Sequence, residues 1–466
     1  MKAVVIGGGL AGLTAAIELA GRGVEVTLLE AKPRLGGATC SFPRDGMTVD
    51  TGQHIFLRCC TAYQGLIAKL GMTEDVPIQP RFDVTVLSPA SSVGLNSGRL
   101  RRTALPGPLH MLPSLARYPF LSLAERAVVS RAALAMRRVN PADPAVDDKR
   151  FGDWLAARGQ SEHARRVLWD LFAVSALNIA GDDASLSLAA FVVKTGLLGA
   201  NDAADIGVPS RPLGELHGDA AAALLAQLGA RVMLGTKVAE VVPKAAGFTV
   251  RVARDDSANP DISADAVVLA VPPDQAARLI PADALPAATV SGWSGLGASP
   301  ILNVHVIYDR KVMDLPFAAA VNSPVQWIFD RTAISGLAAP GHQYLALSQS
   351  AGDEWVERPV AELREIFVPA LAELLPAVRE ANVAEFFVTR ERRATFRQVP
   401  GTGALRPAAA TKLPGLVLAG AWTDTGWPDT MESAVRSGLA AAAELETCRT
   451  RASQVPVNSE SLGVRQ

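Results

Sequence analysis

Aromatic side chains are scarce in this chain: Phe, Trp and Tyr together make up 5% of its 466 residues. Cysteine and histidine are sparser still, at four and six. They are too few and too scattered for a zinc framework or a disulfide scaffold, and Cys59 and Cys60 are adjacent. No metal site is expected, and the thiols read as reduced. Neither sign of charge dominates, with 45 Lys+Arg against 46 Asp+Glu and a net charge of −1. A nucleic-acid binder carries a basic excess, so no nucleic-acid partner is expected. Long apolar runs are missing too. The longest charge-free stretch, residues 284–308, is interrupted by Pro286, Ser291, Gly292, Gly295, Pro300, Asn303 and His305. A bilayer helix needs roughly 20 predominantly apolar residues. The stretch reads instead as uncharged strands and turns around an apolar cavity. An apolar run already under way at Val4 leaves no room for a signal peptide, so a cytoplasmic location is expected.

What is present is a chain able to bury a sizeable core, with 49% hydrophobic and 20% charged residues. Its length exceeds what one hydrophobic core supports, so two or more units are expected. The 39 glycines and 31 prolines imply many tight turns and close backbone approaches. Residues 2–6 form a short apolar run ended by glycines, residues 13–20 a helix stopped by Gly23, and residues 24–29 a second apolar run. Strand, glycine turn, helix and strand in thirty residues make a βαβ unit. A second block runs from the helical pattern at 216–228 through short strands at 231–233, 238–242 and 248–253 to the apolar run 265–271, which Pro272 and Pro273 close. A third holds a strand at 416–420 and a helix over 431–445. Three separated blocks building one α/β domain leave the intervening segments for a second.

Gly7-Gly8-Gly9-Leu10-Ala11-Gly12 satisfies G-x-G-x-x-G between a strand and a helix. Gly7 permits the turn, Gly9 lets backbone reach a pyrophosphate, and Gly12 allows close helix–strand packing. The helix start then offers free N–H groups and a partial positive charge to phosphate. Glu30, at the end of the second strand, is placed to accept the hydrogen bonds of an adenosine ribose. The chain continues Ala31-Lys32-Pro33-Arg34-Leu35-Gly36-Gly37-Ala38, a second glycine pair for a long dinucleotide, with Arg34 available to the pyrophosphate.

This E-x-x-x-R-x-G-G run resembles the second signature of the flavin amine oxidase and carotenoid desaturase superfamily. The run from Leu418-Ala419-Gly420-Ala421 through Asp424 and Thr430-Met431-Glu432 to Gly438 resembles its third, which brings a strand end and a helix start to the flavin. The resemblance implies non-covalent FAD. Its cofactor-binding positions here are Gly7, Gly9, Leu10, Ala11, Gly12, Glu30, Ala31, Arg34, Gly36, Gly37, Ala38, Val238, Gly420, Ala421, Asp424, Thr430, Met431 and Glu432. The fold class implied is α/β, a discontinuous Rossmann-type FAD-binding domain of the glutathione-reductase-like, amine oxidase type with a mixed α+β substrate domain. The FAD domain is expected over 1–85, 205–285 and 395–448, the substrate domain over 86–204 and 286–394, and a flexible tail over 449–466.

Within the superfamily, Asp50-Thr51-Gly52-Gln53-His54, Arg390 to Arg393 with Ala394-Thr395-Phe396, Pro400, Arg406-Pro407 and Trp422-Thr423-Asp424-Thr425-Gly426-Trp427-Pro428 resemble the hydroxysqualene dehydroxylases over residues 1–445. That resemblance implies reductive removal of the hydroxyl of hydroxysqualene to give squalene, as in hopanoid biosynthesis, with a hydrophobic triterpenoid substrate and an unassigned electron donor. One departure is Ala421, where many relatives carry an acid; Asp424 substitutes only if the turn brings it round. A carotenoid-precursor desaturase and an amine oxidase are the alternatives, the latter disfavoured by having only four Tyr for an aromatic cage. His54 is the candidate proton donor, with flavin-bound water as its rival, and Gln53, Arg58, Cys60, Trp422 and Trp427 are candidate walls of the substrate cavity. Residues 99–138 carry eight Arg against Glu125 alone, interleaved with apolar residues. That pattern suits either an anionic membrane surface, at the inner face of the cell membrane, or an ordinary helical face packed on a core.

Overall fold

The computed structural model describes residues 1–89, 97–253 and 261–453. Five short strands form a parallel sheet in the order Leu416–Leu418, Ala266–Leu269, Lys2–Ile6, Glu25–Leu29, Arg231–Met233. Side chains on a strand alternate between faces, and this one alternation builds two layers. Ala3 and Val5 pack with the helix Leu10–Gly21 and the C-terminal helix. Val4 and Ile6 pack on the opposite side with Val241 and Val250 of a three-stranded antiparallel sheet and with Trp293. All three sequence blocks supply strands to the parallel sheet. The C-terminal helix, Met431–Ser453, runs eight residues past the expected Leu445, so residues 449–453 are helical rather than part of a tail.

A seven-stranded sheet forms the second unit, in the order Val383–Thr395, Ser299–Tyr308, Gln343–Gln349, Trp327–Asp330, Phe317–Ala320, Asp83–Leu87, Ser97–Arg101. The strand Ser299–Tyr308, between Val383–Thr395 and Gln343–Gln349, corrects one reading. Leu302, Val304, Val306 and Tyr308 fill a core under the helix Val360–Leu374, so this part of the charge-free stretch is apolar through burial in a sheet. Residues 287–296 are helical, and none of the stretch lines the apolar cavity described below. The other side of the molecule is helical, with Leu123–Met136, Asp170–Leu177 and Leu186–Val192 packed against Phe82, Val84 and Val86. No helix among the described residues is long and apolar enough to cross a membrane.

Two buried histidines make stability depend on pH. His305 has ring nitrogens 2.7 Å from the Tyr344 hydroxyl and 3.0 Å from Thr389 Oγ1. His217 has Nε2 2.9 Å from the Tyr63 hydroxyl. Burial pushes both down to about 3, whereas in the unfolded chain each titrates near about 6.5. The unfolded state therefore binds more protons below pH ~6.5, and stability rises with pH across this window and is lost as pH falls. Each histidine contributes a slope of about 1.4 kcal/mol per pH unit. In His305→Gln, the unfolding free energy measured by denaturant between pH 6 and 4.5 should vary with pH less steeply by about one proton; an unchanged slope contradicts the buried neutral state.

Candidate functional site

The first glycine turn closes on main chain with no room for side chains. Gly7 has φ +109°, and a Cβ there would lie 2.3 Å from the Ala270 carbonyl oxygen. A Cβ on Gly12 would lie 1.9 Å from the Gly7 oxygen. The second turn docks on the first: Gly36 N–H donates to the Gly8 carbonyl at 2.8 Å, and a Cβ on Gly37 would reach 2.9 Å from Gly9 Cα. Helix Leu10–Gly21 starts at Gly9 with no side-chain cap and no acid in its first turn. Its leading amides are thus left to a ligand, which is what a pyrophosphate needs. Glu30 borders the turn, with Oε2 accepting from Gly8 N–H at 2.6 Å and Oε1 from Lys32 N–H at 2.8 Å. Each oxygen keeps lone-pair capacity for ribose hydroxyls. Thr236 N–H donates to the Glu30 carbonyl, setting the buried Val238 two residues from that contact. Ala31, Arg34 and Ala38 are exposed, and Arg34 forms no ion pair within the described residues.

The third motif folds as a loop pinned by Arg406, whose guanidinium donates to the carbonyls of Ala421, Trp422 and Thr423 at 3.1, 3.4 and 2.6 Å. Gly420 takes φ +143° and donates its N–H to Ser437 Oγ. Asp424 is exposed and accepts from Gly426 N–H at 3.2 Å, a turn within its own loop. The buried Glu432 carboxylate accepts from Ala62 N–H at 3.1 Å, Tyr63 N–H at 2.7 Å and Arg436 Nε at 2.7 Å. It caps the helix Thr61–Lys69. What this segment offers a cofactor is therefore Thr430, backbone, and the start of the C-terminal helix.

Against that helix start lies a cavity of about 210 Å³. Its wall is almost wholly carbon: Ile55, Phe56 and Leu57, Phe82 and Val84, Leu171 and Phe172, Phe191, Trp327 and Trp427, with Pro428, Thr430, Met431 and Glu432 at one end. Cys59 and Cys60 supply two thiols to it. The hydrogen bond between them holds Cys59 below the usual thiol range and pushes Cys60 well above it. Of the expected wall residues, Cys60 and Trp427 are here. The others are elsewhere. Trp422 donates its indole N–H to the Val271 carbonyl and packs edge-on against Trp293, 4.9 Å away, inside the core. Arg58 turns away to Asp205, at 3.2 Å. Gln53 and His54 precede Ile55, where the wall begins. His54 is half-buried with Nδ1 3.3 Å from the Gly52 carbonyl, and burial lowers its pKa, so the neutral imidazole prevails at pH 7.

Asp429 escaped the sequence reading. It sits between two wall residues, accepts from Phe396 N–H at 2.8 Å, and burial pushes its carboxyl up to about 6. A single acid inside a loop carries no pattern; only its burial marks it.

Parallel sheet, paired glycine turns and ribose-side acid define a dinucleotide-binding oxidoreductase with a hydrocarbon-lined site. The model of the flavin containing amine oxidoreductases matches residues 10–445, and this chain belongs to that family. It is an FAD-dependent oxidoreductase. Among curated proteins it is 31% identical to a hydroxysqualene dehydroxylase of Rhodopseudomonas palustris, over 94% of this chain and 96% of that one. It is 29% identical to the Sinorhizobium fredii protein of the same name, with the same coverage. A 15-cis-phytoene desaturase of Solanum lycopersicum is 26% identical, over 94% of this chain and 76% of that one. The solved structure of a putrescine oxidase has the same fold, with TM-score 0.71 at 19% identity, covering 96% of this chain and 99% of that one.

Removing the Glu30 carboxylate tests the ribose assignment. A hydrogen bond to a charged acceptor contributes about 1.5–3 kcal/mol, so Glu30→Ala should bind FAD about 10- to 100-fold more weakly, read as flavin content after dialysis. Full occupancy would remove Glu30 from the ribose. Acid precipitation of the parent should leave the yellow colour in the supernatant, as non-covalent FAD requires.

Proposed function

We propose that this enzyme reductively removes the hydroxyl of hydroxysqualene to give squalene, in a pathway to hopanoid-type triterpenoids. The observation that carries the reading is the cavity: almost all carbon, and ending at Thr430 and Met431 beside the helix start assigned to the flavin. Flavin, reduced and bound, supplies the hydride that replaces the departing hydroxyl. The protein's part is to hold a hydrocarbon, exclude water and deliver one proton, so that alcohol, hydride and proton yield hydrocarbon and water. Phe56, Phe82, Phe172 and Phe191 exclude water. His54 is the assigned proton donor in its imidazolium form, a minor species at pH 7 because burial lowers its pKa, and Asp429 is its rival because its carboxyl retains a proton near pH 6. The bound FAD is held at Gly7, Gly9, Gly12, Glu30, Arg34, Gly36, Gly37, Gly420 and Thr430. The cavity is smaller than the roughly 300–1,000 Å³ that engulfs a drug-sized ligand, so it takes the reacting end of the chain. The enzyme works in the cytoplasm, attached peripherally to the inner face of the membrane from which it draws its substrate.

An amine oxidase would want polar groups to hold its amine. None of the four tyrosines, Tyr63, Tyr118, Tyr308 and Tyr344, lines the cavity; Tyr63 lies buried behind Phe56, with ring centroids 4.9 Å apart. Its one carboxylate, Glu432, is already committed to two amides and Arg436. A desaturase acting on carotenoid precursors would use the same walls with hydride running the other way. Anaerobically reduced enzyme given hydroxysqualene should form squalene. A gained double bond in a polyene precursor, or oxygen-dependent peroxide release from an amine, would overturn the proposal in favour of the matching alternative. His54→Gln should lower turnover while flavin content stays constant; if Asp429→Asn does so instead, the proton comes from Asp429.

A further inference from the structure

The hairpin of Asp83–Leu87 and Ser97–Arg101 forms one edge of the seven-stranded sheet, and its two faces differ completely. Phe82, Val84 and Leu100 point into the core that backs the cavity. Arg81, Arg99 and Arg101 point the other way and, with Arg102 and Arg117, line a surface groove of about 590 Å³. Five arginines meet two carboxylates. Asp83 is bonded by Arg99 at 2.6 Å and paired with Arg101 at 3.2 Å. Asp205 is fully buried and taken by Arg102 and Arg58, at 2.6 and 3.2 Å. Arg81 and Arg117 are exposed and have no ion pair among the described residues. The groove is cationic beyond what its own acids neutralise.

Beside it the chain exposes Leu105, Leu109 and Leu112 at 44%, 45% and 40%. This segment packs on the chain just past the cavity wall: a Cβ on Gly107 would lie 2.1 Å from the carbonyl oxygen of Gly199, two residues after wall residue Leu197. Guanidinium forks match phosphate oxygens, and neighbouring leucines suit the acyl boundary beneath them. We propose that this face docks on an anionic phospholipid bilayer, with Arg81, Arg99, Arg101 and Arg117 on the headgroup phosphates and Leu105, Leu109 and Leu112 inserted below them. The reason for such a face, substrate uptake from a membrane, rests on the proposed function; the docking itself is measured without substrate.

FAD-loaded protein is sedimented with vesicles of phosphatidylcholine alone or mixed with phosphatidylglycerol. Binding should require the anionic lipid and weaken with salt. Each basic group near such a surface is worth about a five-fold change in partitioning, so Arg81→Glu with Arg117→Glu should weaken it by at least about 25-fold. Those two positions are chosen because they pair with no acid, whereas Arg102 neutralises buried Asp205. Leu105→Ser with Leu109→Ser should weaken binding while leaving its salt dependence. Flavin content reports that each variant is folded. Parent-like sedimentation of the arginine variant, or equal binding to neutral vesicles, overturns the proposal. So does displacement from vesicles by millimolar inorganic phosphate at fixed ionic strength, which marks a small-anion site. Vesicle binding by a protein that makes no squalene from detergent-dispersed substrate upholds the docking and counts against the proposed function alone.

Discussion

Around the start of helix Leu10–Gly21, stretches of backbone from the first turn, the second turn and the C-terminal helix approach more closely than side chains allow. A Cβ on Gly12 would meet the Gly7 oxygen at 1.9 Å, one on Gly37 would meet Gly9 Cα at 2.9 Å, and one on Gly438 would meet the Ala11 oxygen at 2.4 Å. Each contact is main chain against main chain, so a larger residue must displace a hydrogen-bonded element rather than rotate a side chain. The close packing keeps helix amides free of protein partners and aims their partial positive charge at one point. Where the C-terminal helix sits follows from it, since Gly438 lets that helix lie on the first one. Its own start, and the loop pinned by Arg406, are thereby set beside the cavity.

A second constraint carries this arrangement to the seven-stranded sheet. Asp50 is buried, accepts from Ser41 Oγ at 2.6 Å and Leu213 N–H at 2.9 Å, and pairs with Arg331. Removing one partner of a buried pair costs about 3–5 kcal/mol because the other is left uncompensated. Immediately after Asp50 the loop leans on the sheet: the Thr51 carbonyl accepts from Asn303 Nδ2 at 3.2 Å and from Thr389 Oγ1 at 3.3 Å. His54 and Ile55, one beside the cavity and one in its wall, are thus held from both units at once.

How much of this the sequence reveals depends on how local the cause is. The first βαβ unit is legible because strand, turn and helix are each coded within a few residues; the strand runs over Lys2–Ile6 as its apolar run implies. Trp422 and Trp427 lie five residues apart in one motif, yet one fills the core beside Trp293 and the other faces the cavity. Nothing local separates them, because the difference lies in what packs against the loop. The strand Ser299–Tyr308 misled for a related reason: an uncharged run looks alike whether it lines a cavity or is buried within a sheet. Most of the real wall comes from residues 55–60, 171–176 and 191–197, which carry no motif and converge only through tertiary packing.

The strand Asp83–Leu87, next to the edge strand Ser97–Arg101, shows how one simple periodicity serves two needs. Successive side chains on a strand face opposite ways, so a two-residue repeat writes an apolar face and a polar face in the same few positions. Here Phe82 and Val84 go to the cavity and Arg81 and Thr85 to the groove. A slip of one residue against its neighbours would put arginine in the cavity and phenylalanine in water, an exchange unfavourable on both faces. Two-sided use therefore fixes the register of this strand, and through it that of Ser97–Arg101, the edge strand with a sheet neighbour on one side only. An edge strand with exposed pairing groups is also prone to join another chain, and arginines along its hairpin oppose that. The charge that suits this surface to an anionic partner is the charge that keeps the edge from pairing with itself.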